Sequence, residues 1–247
     1  MNILVVNPNT TQSMTEKIAD AARRVANPAT TIRPATSRMG PVSIEGFYDE
    51  AFAVPGMLLE ISRAEKEGVR AAVIACFDDT GLDAARAMAA IPVLGICESA
   101  VATASFIANR FTIVTTMERS RLPLEALVHR YGMSGRCNVR AADIPVLSLE
   151  DPQSNARDRL RNEIAAALRE DKSEAIILGC AGMADLTMDL RREFGLPVID
   201  GVAAAVKQAE SLVALGLSTS KRGAYASPIL KTYTGAFEEF APQALVV

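Results

Sequence analysis

The chain repeats one unit twice: a short apolar run that ends in a cysteine, then a turn, then a helix-forming stretch. Cys76 ends the first run, in AAVIACFDDTG, and Cys180 ends the second, in AIILGCAGM. Runs of this length, bounded by turn residues, are typical of buried parallel strands. Because open α/β sheets bind ligands beyond the carboxyl ends of their strands, both thiols are predicted to lie at binding positions.

Strand-like and helix-like segments alternate along the chain, which favours an α/β fold with parallel sheets flanked by helices. The predicted strands cover residues 3–6, 30–34, 71–75, 93–96, 111–114, 139–142, 175–178 and 198–199. The predicted helices cover residues 11–26, 55–67, 80–90, 98–108, 119–131, 155–170, 184–194 and 202–215, with a short one near 235–240. Ser13 and Glu16 have the spacing of a capping box, and Pro55 suits the first turn of its helix.

The order of elements also repeats at a nearly constant offset. The offset is 104 positions between Cys76 and Cys180, 105 between Pro92 and Pro197, and 108 between Asn7 and Thr115. The repeat predicts two similar lobes related by an approximate twofold axis, with both thiols facing one cleft. We expect one lobe to comprise residues 1–97 with 208–247, and the other residues 98–207.

Composition excludes several classes of function. A net charge of −3, with scattered Lys and Arg, argues against a nucleic-acid partner. No apolar run is long enough to span a membrane, and the first residues lack the pattern of a secretory signal, so a cytoplasmic protein is predicted. The four cysteines are too widely spaced for a disulfide scaffold, and His129 is the single histidine, so neither zinc nor a Ser-His-Asp mechanism is expected.

Several motifs together resemble one known family. They are NPNT (7–10), GPVSIEG (40–46), ACFDDTGLDAAR (75–86), FTIVTT (111–116), LGCAGM (178–183) and PVIDGVAAAVK (197–207). In this order they resemble the PLP-independent aspartate/glutamate racemase superfamily and, within it, the hydantoin and allantoin racemases. The resemblance implies two flavodoxin-like lobes, racemisation without a cofactor, a homo-oligomer, and Cys76 and Cys180 as the acid and the base.

Two thiols are chemically suited to this reaction, because a racemase removes a proton from one face of a carbon and returns one to the other. One cysteine must be a thiolate, although a free cysteine with a pKa of ~8.5 is mostly protonated at neutral pH. We expect the following helix and the loop amides to stabilise the thiolate. Backbone N–H groups of residues 77–79 and 181–183 are candidates to hold the enolate oxygen that forms.

The residues after each cysteine indicate the substrate. Glutamate and aspartate racemases resemble this chain in plan but have Asn-Thr and Thr-His there, which suit the charged groups of an amino acid. Here Asp78 and Asp79 disfavour a free carboxylate, and Phe77 and Met183 offer apolar contact. A neutral 5-substituted hydantoin is therefore predicted. Allantoin is the close alternative, and a maleate-type cis-trans isomerase or a non-enzymatic small-molecule-binding protein also stays open.

Eleven residues are predicted to contact substrate: Asn9, Ser43, Ile44, Phe77, Asp78, Asp79, Thr115, Thr116, Ala181, Gly182 and Met183. Some have alternative structural roles, since Asp78 and Asp79 can cap the next helix and Asn9 can be a turn residue. Cys97 is expected to fill the core or to have no role, and so is Cys137, which is predicted to lie in a loop.

Overall fold

Eight parallel strands form two sheets in the computed structural model, which describes residues 1–151 and 153–242. The first sheet contains β1 (Asn2–Asn7), β2 (Thr31–Thr36), β3 (Ala71–Ile74) and β4 (Val93–Gly95), in the order β2-β1-β3-β4. The second contains β5 (Phe111–Thr115), β6 (Cys137–Ala141), β7 (Ala175–Gly179) and β8 (Val198–Asp200), in the order β6-β5-β7-β8. The predicted α/β fold with two similar lobes is confirmed.

Helices flank both sheets. They are α1 (Gln12–Val25), α2 (Phe47–Lys66), α3 (Leu82–Met88), α4 (Ile96–Ile107), α5 (Arg121–Arg130), α6 (Ala156–Ala166), α7 (Thr187–Phe194) and α8 (Gly201–Ala214). Short 3-10 segments cover Glu118–Ser120, Val146–Glu150, Ala181–Leu186, Gly223–Tyr225 and Gly235–Phe240. No helix in the described part of the chain is long and apolar enough to cross a membrane.

The internal repeat is preserved in the strand register. Val6 of β1 lies opposite Ile74 of β3, and Val114 of β5 lies opposite Leu178 of β7. Val6 and Val114 are 108 positions apart, and Ile74 and Leu178 are 104 apart. The end of β3 that leads to Cys76 is therefore equivalent to the end of β7 that leads to Cys180. The lobe boundaries near residues 97 and 207 stay predictions.

Helices α4 and α8 join the two lobes through one apolar core. This core includes Val5 and Val73 from the first sheet and Ile113 and Ile177 from the second, together with buried residues of both helices. Gly201 allows the start of α8 to lie against α4, because a Cβ there would be 2.6 Å from the carbonyl oxygen of Ile96. This close approach holds the carboxyl ends of the two sheets on either side of one cleft.

Several local predictions are wrong. Helix α2 begins at Phe47 rather than near residue 55, so Pro55 lies inside it. Asp49 and Glu50 in its first turn favour this earlier start. Ser13 and Glu16 do not form a capping box, because the N-cap of α1 is Thr11, whose hydroxyl donates to the carbonyl oxygen of Val42 at 2.6 Å.

Two further boundaries differ from the predictions. Cys137 is the buried first residue of β6 rather than a loop residue. The helix predicted over residues 155–170 is α-helical only over Ala156–Ala166, and its last turn, Ala167–Asp171, is a π-turn. The segment that begins at Thr219 lies against the first lobe. The backbone N–H of Thr219 donates to the carbonyl oxygen of Ala90 at 2.9 Å.

Candidate active site

A cavity lies where the carboxyl ends of β1, β3, β5 and β7 converge. Its volume is about 40 Å³, which is room for a few water molecules. It is lined by Asn7, Asn9, Met14, Ile18, Ile44, Ala75, Cys76, Phe77, Asp78, Thr115, Thr116, Ser120, Val146, Gly179, Cys180, Ala181 and Gly182. Residues from both lobes thus enclose one small space.

Cys76 and Cys180 line this cavity from opposite lobes. The same turn follows each of them: the N–H of Asp79 donates to the carbonyl oxygen of Cys76 at 3.1 Å, and that of Met183 to the carbonyl oxygen of Cys180 at 3.1 Å. Both cysteines are partly exposed, whereas Cys97 and Cys137 are buried. Only the first pair therefore meets the geometric requirement for two opposed thiols at one substrate.

The Cys76 thiol has a pKa well above its ordinary value, so the expected stabilisation of its thiolate by the loop amides is outweighed. Burial is the main cause, and the negative charge of Asp78 adds to it. The Asp78 backbone N–H, which hydrogen-bonds the sulfur, and the Thr80 hydroxyl beside it act in the opposite direction, and the nearby Cys180 thiol raises the pKa slightly further. Burial and the Asp78 carboxylate therefore both oppose formation of the Cys76 thiolate in this arrangement.

Thr80 is predicted to be a positioning residue for this thiol. Its hydroxyl is buried without a hydrogen-bond partner among the described residues, and it lies beside the sulfur of Cys76, whose pKa it lowers. Thr80→Val should raise the pKa of Cys76 further, and Thr80→Ser, which keeps the hydroxyl, should not. The check is the pH dependence of iodoacetamide modification of Cys76, followed by mass spectrometry. A Val variant with the wild-type profile would rule out this role.

Asp78 is a second unusual ionisable group in the cavity. Its pKa is raised to about 7 by burial, and the charges of Glu50 and Asp79 add to the effect. Glu50, at the start of α2, also has a raised pKa, caused by burial and by Asp49. Near neutral pH the Asp78 side chain is therefore an equilibrium mixture of carboxylic acid and carboxylate, and it can donate as well as accept a hydrogen bond.

Asp78→Asn should lower the pKa of Cys76, because it removes a negative charge that opposes thiolate formation. The difference should appear above pH 7, where the Asp78 carboxylate forms in the wild type. The expected result is several-fold faster modification of Cys76 by iodoacetamide at pH 9. Asp189→Asn, at an exposed position on α7, is the matched control and should leave the rate unchanged. Equal rates for Asp78→Asn and wild type would contradict this electrostatic coupling.

Asp79 does not line the cavity. Its buried carboxylate accepts hydrogen bonds from the backbone N–H groups of Cys97 and Glu98, both at 2.9 Å, and from the Tyr131 hydroxyl at 2.6 Å. It therefore caps α4 rather than the helix that follows it. Gly95 is required for this contact, because a Cβ there would lie 2.3 Å from the carboxyl group.

The loops after β2 and β6 contribute one apolar side chain each, Ile44 and Val146. Hydrogen bonds hold the first loop over α1, including one from the Thr10 N–H to the Pro41 carbonyl oxygen at 3.0 Å. Ser43, on the same loop, does not line the cavity, and its hydroxyl donates to Glu45 at 3.2 Å. Met183 is also outside the cavity and fully buried in the second lobe.

The other predicted contact residues, Asn9, Ile44, Phe77, Asp78, Thr115, Thr116, Ala181 and Gly182, do line the cavity. Asn9 is also part of the turn after β1, since its side chain accepts from Asn7 at 2.8 Å and from the Thr11 N–H at 2.9 Å. Sequence reasoning missed Asn7, although the repeat pairs it with Thr115. It also missed Met14 and Ile18, which reach the cavity from α1.

No group of three or more His, Cys, Asp or Glu side chains within residues 1–151 and 153–242 is arranged to hold a metal ion. The ionisable side chains that line the cavity are the two thiols and one carboxyl group. The other polar groups in its lining are neutral hydroxyls and amides. A thiol pair of this kind can exchange protons with a carbon acid bound between its members.

Residues 3–209 match the family described as Asp/Glu/Hydantoin racemase. The chain belongs to this family. The hydantoin racemase of Pseudomonas sp. (strain NS671) is 49% identical over 242 residues, which is 97% of each chain. A solved allantoin racemase from Klebsiella pneumoniae is 48% identical, with a TM-score of 0.95 over 98% of this chain and 99% of its own. A second one, from Pseudomonas fluorescens, is 41% identical, with a TM-score of 0.90 over 95% of this chain and 100% of its own.

The protein is thus a racemase, and so an isomerase, as the motifs around its cysteines predicted. The matched segment, residues 3–209, contains both sheets and both cavity cysteines.

Proposed function

We propose that this racemase interconverts the enantiomers of 5-substituted hydantoins by proton transfer between Cys76 and Cys180. The observation that carries the proposal is that both thiols line one cavity from equivalent strand ends of the two lobes. Identity of 49% with hydantoin racemases supports the choice of substrate.

The proposed reaction begins when one cysteine, as a thiolate, takes the proton from C5 of the ring. The electron pair of the C–H bond moves into the adjacent carbonyl, giving an enolate and a thiol. The opposite thiol then donates its proton to the other face of C5 and becomes the thiolate. One proton is removed and one is returned, so no cofactor is consumed, and the two sulfur atoms exchange protonation states.

Backbone amides beside the cysteines are suited to hold the enolate oxygen. The N–H groups of Asp79 and Met183 are used within their own turns, and that of Asp78 is directed to the Cys76 sulfur, so those of Phe77, Ala181 and Gly182 are the better candidates. Gly182 has no side chain to keep a ligand away from this part of the backbone. Asp78, in its protonated form, supplies a further donor at the edge of the cavity.

Allantoin is the second candidate substrate, because allantoin racemase structures resemble this chain over nearly its full length. Allantoin has the same ring with a ureido group at C5, so the chemistry at the thiols would be identical. The two candidates differ only in whether the protein favours an apolar or a polar substituent.

Polarimetry of single enantiomers tests the proposal. Solutions of D- and L-5-benzylhydantoin should lose their optical rotation when the protein is added. Because two enantiomers have the same free energy, the equilibrium constant is one and kcat/KM should be the same for both. Allantoin enantiomers, measured alongside, decide between the two substrates. Unchanged rotation for every hydantoin and for allantoin would overturn the proposal.

A further inference from the structure

The approximate twofold symmetry of the cavity is broken at one point. Position 182, two residues after Cys180, is equivalent to position 78, two residues after Cys76. A Cβ on Gly182 would lie 3.2 Å from Leu149 and 3.6 Å from Met14, so these two side chains close the second lobe's side of the cavity. Met14 is accordingly only 3% exposed.

The residues equivalent to Met14 and Leu149 do not close the first lobe's side of the cavity around Asp78. Leu122 corresponds to Met14 at the repeat offset of 108. Phe47 follows the cavity residue Ile44 by three positions, as Leu149 follows the cavity residue Val146. Leu122 is 64% exposed and Phe47 is 71% exposed. Between them lies a pocket of about 340 Å³ that Asp78 shares with the reaction cavity.

The lining of this pocket is mostly apolar. Its walls are Phe47, Leu122, Pro123, Ala126 and Leu127, with Glu50, Asp78 and Arg130 also contributing. The Arg130 guanidinium is paired with Asp83, which lies outside the pocket. An apolar group placed against Leu122 and Ala126 would therefore be removed from water without burying an unpaired cation.

We infer that this pocket is the subsite for the outer part of an apolar C5 substituent, which passes Asp78 on its way out of the cavity. The inference rests on the proposed function. The reaction cavity has a volume of about 40 Å³, and the pocket that adjoins it at Asp78 is several times larger. The equivalent route on the Cys180 side is blocked by Met14 and Leu149.

Filling the pocket tests the inference. Ala126 is exposed on α5, so Ala126→Phe can place a ring in the pocket without disturbing the core. We expect kcat/KM for L-5-benzylhydantoin to fall at least tenfold, mainly through KM, and that for L-5-methylhydantoin to stay within twofold. Ala214→Phe, at the exposed last residue of α8, is the matched control and should change neither.

Leu122→Asn is a second variant, which removes apolar surface without adding bulk. It too should lower kcat/KM for the benzyl substrate and leave that for the methyl substrate nearly unchanged. Equal losses for benzyl and methyl substrates, or no loss for either, would overturn the subsite. Calorimetric binding of 5-benzylhydantoin separates this result from failure of the proposed function. If the wild type binds it without racemising it, and Ala126→Phe binds it at least tenfold more weakly, the racemase substrate is wrong and the subsite stands. If the wild type does not bind it, both are overturned.

Discussion

Replacing either Cys76 or Cys180 by serine is expected to lower the rate of hydantoin racemisation at least a thousandfold. A hydroxyl group is a far weaker acid than a thiol, so serine at either position cannot supply the thiolate base at neutral pH. Loss of a positioned acid or base typically costs 10²–10⁴-fold, and in the proposed mechanism each cysteine serves in both directions of the reaction. Polarimetry with each enantiomer measures the loss.

The matched control is Cys137→Ser, since that cysteine is buried at the start of β6 and does not line the cavity. It should keep activity within twofold of the wild type. The Cys76→Ser and Cys180→Ser variants each retain one cavity thiol, so each should still exchange the C5 proton of a single enantiomer slowly with solvent. Wild-type racemisation by Cys76→Ser or Cys180→Ser would exclude the two-thiol mechanism.

Asp79→Ala is expected to lower the free energy of unfolding by about 2 kcal/mol, which is the loss of its contacts less the cost of ionising a buried carboxyl group. It removes a helix cap and leaves two backbone N–H groups and the Tyr131 hydroxyl without their buried acceptor. Asp79 also has a φ of 47°, a left-handed conformation that costs alanine roughly 1–2 kcal/mol. Urea denaturation at pH 7.5 is the appropriate measurement.

Asp20→Ala is the control for this substitution, because Asp20 is exposed and its ion pair with Arg23 lies at the surface. Exposed pairs of this kind contribute about 0–1 kcal/mol, so the control should barely change the urea midpoint. A loss no larger than that of Asp20→Ala would show that Asp79 is not a structural cap.

The pKa of Asp79 is raised to about 6 by burial. The folded protein therefore holds the proton more tightly than the unfolded chain does, and the free energy of unfolding falls as the pH rises from about 4 to 6.

The sequence predicted the parts of the site that depend on strand order. Cys76 and Cys180 follow buried apolar runs, and parallel strands bring their carboxyl ends to one edge of a sheet, so their placement followed from the repeat. Ile44 and the residues flanking the cysteines lie on the same edge and were found for the same reason. These positions are set by local pattern and topology together.

Contacts between distant segments were not predictable in the same way. Asp79 caps α4, whose first residue is 17 positions further along, whereas capping propensity indicates only the next helix. Met14 and Ile18 have the periodicity of ordinary core residues on α1, and nothing local indicates that they line the cavity. The raised pKa of Cys76 depends on burial and on the orientation of Asp78, which a strand-end position alone does not specify.

The predicted homo-oligomer, the cytoplasmic location and the absence of a cofactor stay predictions. They came from the family resemblance and from composition rather than from contacts within one chain. The pocket beside Asp78 is a different case, because no local pattern in the sequence indicates it. Phe47 and Leu122 are unremarkable in sequence, and their exposure has meaning only against the closed equivalents, Leu149 and Met14.

The two-thiol claim is tested most directly by the position of deuterium early in the reaction. L-5-benzylhydantoin is incubated with the protein in deuterated water, and its two enantiomers are separated before a tenth of the substrate has reacted. If Cys76 and Cys180 act on opposite faces, the D enantiomer formed should carry deuterium at C5 and the recovered L enantiomer should keep its proton. Deuterium entering the recovered L enantiomer as fast as the D enantiomer appears would mean that one group serves both faces, and would contradict the account.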